Sequence, residues 1–342
     1  MACDERLKPA VGRRALCASL LALPLVAGAT RAAAPEESWV APLAAKSLLL
    51  DVAAFGDKRI AVGARGHILV SDDAGASWKQ SAHVPTLALL TAVTLIDDRH
   101  AWAVGHDEVI LRTSDGGVSW QKVHESIEAQ RPLLDVWFRD SRQGIAIGAY
   151  SAYYTTADGG ETWVPRHFAD LAVPGQAKPI DGADEDGIPI EYHLNHIAQA
   201  GGRLFIAAEA GHVYRSDDMG ASWRALPLPY DGSMYGLLPL EGDSLLVFGL
   251  RGNLFRSDDA GGSWVDLPTG TVAMLTAGVR LDAATLAIVG LAGAVLVSRD
   301  DGRSFTLEQR ADRKGLAAAV AAGDDALLVV GEAGIERVAD RK

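Results

Sequence analysis

Cysteine is absent from this 342-residue chain beyond residue 34, because its two copies, Cys3 and Cys17, both lie before that point. The rest of the chain therefore has no disulfide, no thiol nucleophile and no thiolate metal site. Helical periodicity is also missing: no repeat unit places apolar residues every 3.6 positions over ten or more residues, which excludes a helical solenoid. Basic residues are few relative to acids. Past residue 34 there are 27 Lys and Arg against 42 Asp and Glu, a formal charge of −15. Such a surface disfavours nucleic acid and anionic lipid as partners. One long apolar run exists, Ala15 to Ala29, preceded by Arg6, Lys8, Arg13 and Arg14 and followed by Ala32, Ala33 and Ala34. That order reads as a secretory signal peptide over residues 1–34 rather than a membrane span. It predicts an exported, periplasmic protein whose mature part, 35–342, is a single monomeric domain.

What the chain has in abundance is a repeat. SDDAGASW begins at Ser71, TSDGGVSW at Thr113, TADGGETW at Thr156, SDDMGASW at Ser216, SDDAGGSW at Ser257 and SRDDGRSF at Ser298, at intervals of 42, 43, 60, 41 and 41 residues. Ahead of each copy stand three short apolar runs bounded by Gly, Asp and Asn, which read as strands. Three strands before the motif and one after it, in about 40 residues, is the size of one propeller blade. Within the motif, Asp73, Asp115, Asp158, Asp218, Asp259 and Asp300 are placed to accept hydrogen bonds from their own turn. Gly75, Gly117, Gly160, Gly220, Gly261 and Gly302 supply the positive φ of the hairpin. Trp78, Trp120, Trp163, Trp223, Trp264 and Phe305 start the fourth strand and are expected in the seams between blades.

After the sixth motif, residues 315–340 repeat the three-strand phrase without a motif. The segment from Ser38 to Leu43 resembles a fourth strand, with Trp39 in the place of the motif tryptophan. The chain is therefore expected to fold as an all-β, seven-bladed propeller of four-stranded antiparallel blades, closed by an N-terminal strand. The interval of 60 marks an insertion at about 166–196, expected as an irregular loop covering part of the channel entrance and a candidate lid for a partner.

The eight-residue motif looks like the Asp-box of the BNR repeat families. LLDVWFRDSRQGIAIG (133–148) followed by TTADGGETW, and LLTAVTLIDDRHAWAVG followed by TSDGGVSW, resemble the Ycf48-like family of photosystem II assembly and stability factors, over about residues 39–338. The resemblance implies a seven-bladed, non-enzymatic propeller without cofactor that binds a membrane-protein intermediate from the exported side. A membrane or envelope protein complex is the partner it suggests.

Candidate binding residues follow from where the repeats depart from one another. Arg65 and Arg251 occupy the same turn in blades one and five, and Arg131 precedes an inner strand, so all three are expected on the face of the insertion, able to meet carboxylates. His193 and His196 stand beside the acids Asp181, Asp184, Glu185 and Asp186, but their odd spacing puts them on opposite faces of a strand. No metal is expected there. The alternative reading is a glycan-active propeller, hydrolase or lectin. A glycosidase needs two carboxylates flanking the bond, and Asp51 and Asp135, at equivalent inner-strand positions, are the available pair. No Arg-Ile-Pro segment of the sialidase kind occurs, and the adjacent Tyr153 and Tyr154 fall within a strand.

Overall fold

In the computed structural model, residues 36–173, 182–183, 189–323 and 326–339 are described; the leader, 1–34, and the acids Asp181, Asp184, Glu185 and Asp186 lie outside them. Blade one is a four-stranded antiparallel meander of Leu49–Phe55, Lys58–Gly63, Ile68–Ser71 and Lys79–Gln80. Five further blades repeat it, with inner strands Leu90–Leu95, Leu133–Phe138, Leu194–Ala200, Met234–Pro239 and Leu275–Arg280. Blade seven has three strands, Leu316–Ala321, Ala326–Gly331 and Gly334–Ala339. Each inner strand packs beside the next, and the seventh packs beside the first, so the ring closes around a central channel.

The burial pattern explains the sequence pattern. Second strands such as Ala101–Gly105, Gly144–Gly148 and Leu245–Gly249 are buried at every residue, because a neighbouring blade covers each of their faces. They read as continuous apolar runs for that reason. Between consecutive blades lies one hydrophobic cluster. The motif aromatic belongs to six of these seven clusters: Trp78 between blades seven and one, Trp120, Trp163, Trp223 and Trp264 in the next four, and Phe305 between blades five and six. The seam between blades six and seven contains no aromatic residue.

The six turns share one hydrogen-bond scheme. In the fourth copy, Ser216 Oγ donates to Asp218 Oδ1 (2.7 Å), Ser222 N–H donates to the same oxygen (2.8 Å), and Ser222 Oγ donates to Oδ2 (2.7 Å). Gly220 has φ +90°, and a Cβ there would collide with Ile145 and the Tyr153 hydroxyl, so glycine is required. Burial opposes the charge on Asp218, but the bonds from Ser222 and Ser216 outweigh it and hold the carboxyl below its ordinary range. Asp73, nearer solvent, is pulled down to about 2 by Ser77 and Ser71. Replacing Asp218 by Ala removes three acceptor contacts from one exposed turn and is expected to cost about 1 kcal/mol, read as a lower urea midpoint with unchanged slope.

Two expectations are corrected. Ser38–Leu43 forms no strand and does not pair with blade seven. Ser38 N–H donates to the Val84 carbonyl (2.9 Å), and the Gln80 side chain both accepts from Ala41 N–H (2.8 Å) and donates to the Trp39 carbonyl (2.9 Å). A side-chain amide beside blade one thus satisfies the backbone groups that a seventh-blade ladder was expected to take. The insertion, too, is not loop throughout. Phe168 and Leu171, in a short 3-10 turn, are buried with Trp223 between blades three and four, and Trp223 N–H donates to the Leu171 carbonyl (2.7 Å). Gly182–Ala183 and Pro189–Ile190 pair as a small hairpin.

Candidate functional site

The blades present two different faces. On one, the acidic turns bond to the turns joining first and second strands, as in Ala74 N–H to the Asp57 carbonyl and Gly159 N–H to the Arg142 carbonyl. On the other, turns joining second and third strands bond to the incoming connections: Gly66 to Ala88, Glu108 to Arg131, Ser151 to Tyr192 and Leu250 to Ser233. Arg65, Arg131, Arg251 and His193 all belong to this second face. So do the exposed apolar side chains of Leu48, Ile127, Tyr150, Val272 and Leu291.

The three arginines are in different states. Arg65 and Arg251 sit at the tips of their turns in the left-handed conformation, with φ 59° and 58°, and are exposed. Arg65 lies 5.8 Å from the Trp39 ring centroid, a cation–π contact. Neither makes an ion pair among the described residues. Arg131 is committed: its Nε and Nη2 lie 2.8 and 2.7 Å from Oε1 of Glu108. Glu108 is 1% exposed and also accepts from the Tyr154 hydroxyl (2.8 Å). Burial, followed by the Glu108 carboxylate, raises the Tyr154 hydroxyl to about 12. Nothing in the local sequence marks Glu108 as buried, because Tyr154 and Arg131 come from the neighbouring blade.

The two histidines do not converge. His193 packs edge-on to Tyr150, with ring centroids 4.9 Å apart. His196 lies inside the channel, at a bulge. Every inner strand shifts register at this point, so that Asp51, Ala92, Asp135, His196, Gly236, Ala277 and Ala318 occupy one level of the channel. A bulge removes backbone groups from the ladder, and the side chains here replace the lost bonds. Asp51 accepts from Val52 N–H and from Val93 N–H of blade two, both at 2.8 Å. Asp135 accepts likewise from Val136 and from Ile197 of blade four, both at 2.8 Å. Each carboxylate therefore joins two blades. Thr91 to Leu133, Asn195 to Met234 and Thr276 to Leu316 perform the same linkage elsewhere in the ring. These three were not apparent in the sequence, since Thr and Asn carry no signal of an inter-blade bond.

The channel at this level encloses about 250 Å³. Burial drives the Asp51 carboxyl up to about 7, with the nearby Asp135 adding to the rise against the Val93 bond. Asp135 also rises to about 7 by burial, against the bonds from Ile197 and Val136. His196 falls to about 4 through burial, opposed by Asp51, with Nε2 3.8 Å from Asp135 Oδ2. Burial thus shifts all three groups toward their uncharged forms. Among the described residues no cluster of His, Cys, Asp or Glu has the geometry of a metal site.

Residues 118–283 match the family model described as photosynthesis system II assembly factor YCF48. Similar solved structures include YCF48 bound to D1 peptide, at 16% identity, covering 86% of this chain and 94% of that chain with a TM-score of 0.65. YCF48 from Cyanidioschyzon merolae is 15% identical, covering 89% and 98% with a TM-score of 0.66. The WD40 propeller domain of Doa1 is 11% identical, covering 86% and 93% with a TM-score of 0.63. No curated protein sequence matches the chain.

Proposed function

We propose that this chain, Ycf48-like over residues 118–283, is a protein-binding scaffold that serves as an assembly or stability accessory for a membrane or envelope protein complex. The family match is the observation that carries the reading. One solved structure is of YCF48 bound to D1 peptide; by analogy, this chain takes a peptide segment of its partner. Export by the 1–34 leader to the periplasm belongs to the same reading, and no described helix is long and apolar enough to cross a membrane.

The face bearing Arg65 and Arg251 is the surface we assign to the partner. Two guanidinium groups that make no ion pair among the described residues, on the same face as exposed Tyr150, Val272 and Leu291, offer carboxylate recognition with apolar contact. A non-catalytic role agrees with the channel chemistry. Both oxygens of Asp51 and both of Asp135 accept backbone bonds, which suits bracing better than proton transfer to a sugar.

Crosslinking a tagged copy in its native cells, followed by mass spectrometry of the membrane fraction, tests this reading. One membrane complex is expected, with its yield reduced about tenfold by Arg65→Glu combined with Arg251→Glu, as for loss of two charge-assisted contacts. Recovery of nothing specific, or of the same complex undiminished in the double variant, counts against it.

A further inference from the structure

The seam between blades six and seven differs from the other six. It has no motif aromatic, and blade seven has no fourth strand among the described residues. In the place where both would sit is a groove of about 630 Å³, walled by Leu281, Ala287, Val295, Val297, Leu327 and Val338. Its open side is the edge of Gly334–Ala339 that no described strand pairs with, the other edge being fully paired to Ala326–Gly331. An unpaired strand edge beside an apolar slot is the arrangement used for strand addition.

We propose that this groove binds an extended segment of a partner protein as the fourth strand of blade seven, with an aromatic side chain in the vacant seam and a basic residue beside it. The six filled seams supply the template, since each receives an aromatic at the start of an outer strand. In three of them the next residues are basic or include one: Trp78-Lys79, Trp223-Arg224 and Trp120-Gln121-Lys122. Charge complementarity specifies the basic residue. Glu308 and Asp312 line the groove and Glu336 borders it; Arg310 is paired to Asp312 (2.7 Å) and Glu336 (2.6 Å) and Lys314 lies near Asp312, which leaves Glu308 without an ion pair among the described residues. The rim thus carries excess negative charge. Alternation along Gly334–Ala339 turns Glu336 and Val338 toward the groove and Ile335 toward blade one, so an added strand meets an acid and an apolar wall together.

The probe is a synthetic peptide copying Ser119–His124, SWQKVH, carrying an N-terminal fluorescein, presented to the full chain and followed by fluorescein anisotropy and amide NMR. Saturable binding is expected, weakened about tenfold when the peptide tryptophan becomes alanine. It should also be abolished when alternate peptide nitrogens are methylated, which removes ladder donors from the peptide while leaving the protein intact. Val297→Glu in the groove wall should weaken binding and Val118→Glu, on an exposed turn of blade two, should not. No saturable binding, or binding indifferent to N-methylation, overturns the proposal. Two further results overturn it: quantitative disulfide formation in a Trp39→Cys, Val338→Cys variant, which would seat the chain's own segment in the groove, and a concentration-dependent dimer blocked by the peptide, which would seat a second copy. The groove lies away from Arg65 and Arg251, so its failure leaves the family-based function standing.

Discussion

Raising the pH from 4 to 7 is expected to lower the stability of this protein through its channel, by on the order of 4 kcal/mol for the Asp51 and Asp135 pair. Both carboxyls titrate near pH 3.8 when unfolded and near 7 when folded. Between those values the folded state binds more protons than the unfolded one, so stability falls as pH rises. Their contribution is full below about 4 and gone above about 7. A dry channel would give about twice that figure, but Asp135 keeps 14% of its side-chain surface accessible, so solvent screening reduces it. His196 works in the opposite sense, favouring the fold above its unfolded value of 6.5 and losing that contribution as pH falls through about 4. Its side chain is 36% exposed, so its influence is the smaller. Urea melts of the wild type and of an Asp51→Asn, Asp135→Asn variant between pH 4 and 8 separate the terms. The variant should be less stable near pH 4.5, having lost an acceptor at each bulge, and its curve should be flatter up to pH 7. Parallel curves would falsify the assignment of the slope to these carboxyls.

Replacing Trp223 by Ala should destabilise the protein by about 3–5 kcal/mol, lowering the melting temperature by roughly 5–8 °C for a chain of this size. Trp223 is fully buried, and its seam includes Tyr153, Phe168, Leu171 and Tyr214. Its indole N–H donates to the Tyr153 hydroxyl (3.2 Å), which donates to the Gly220 carbonyl (3.1 Å). Truncation opens a cavity between two rigid sheets that cannot collapse into it, and it leaves that hydroxyl chain without its donor. Trp264 is only partly buried, and Trp264→Ala should cost about half as much, in proportion to the area removed from water. Calorimetry on both variants makes the comparison. Equal losses at the two positions would mean that the outer strand, rather than the seam, carries the tryptophan's contribution.

Much of this architecture was legible because local chemistry specifies it. The Asp–Gly–aromatic turn is closed by residues within eight positions of one another, and all six copies form the bonds their spelling implies. Inner-strand equivalence of Asp51 and Asp135 was also readable from LLLDV and LLDV. Less legible were the places where one blade completes another. Glu108 stands in a turn between two strands of blade two, yet Arg131 and Tyr154 from beyond that blade enclose it. Phe168 and Leu171 looked like loop, yet Trp223 lies 50 residues or more away in sequence and packs on both. Ser38–Leu43 matched an outer strand by pattern, and the Gln80 side chain holds it elsewhere.

The amino-acid order alone is enough for the repeat, the strand order within each blade, the number of blades and the face to which Arg65, Arg131 and Arg251 belong, because each depends on period and turn geometry over a few residues. Which arginines lack an ion pair among the described residues, which carboxyls are pushed toward their neutral form in the channel, and which seam is left without an aromatic emerge only with the closed ring. Those outcomes depend on burial and on hydrogen bonds between segments 20 to more than 60 residues apart, and closing the ring is what brings such segments into contact.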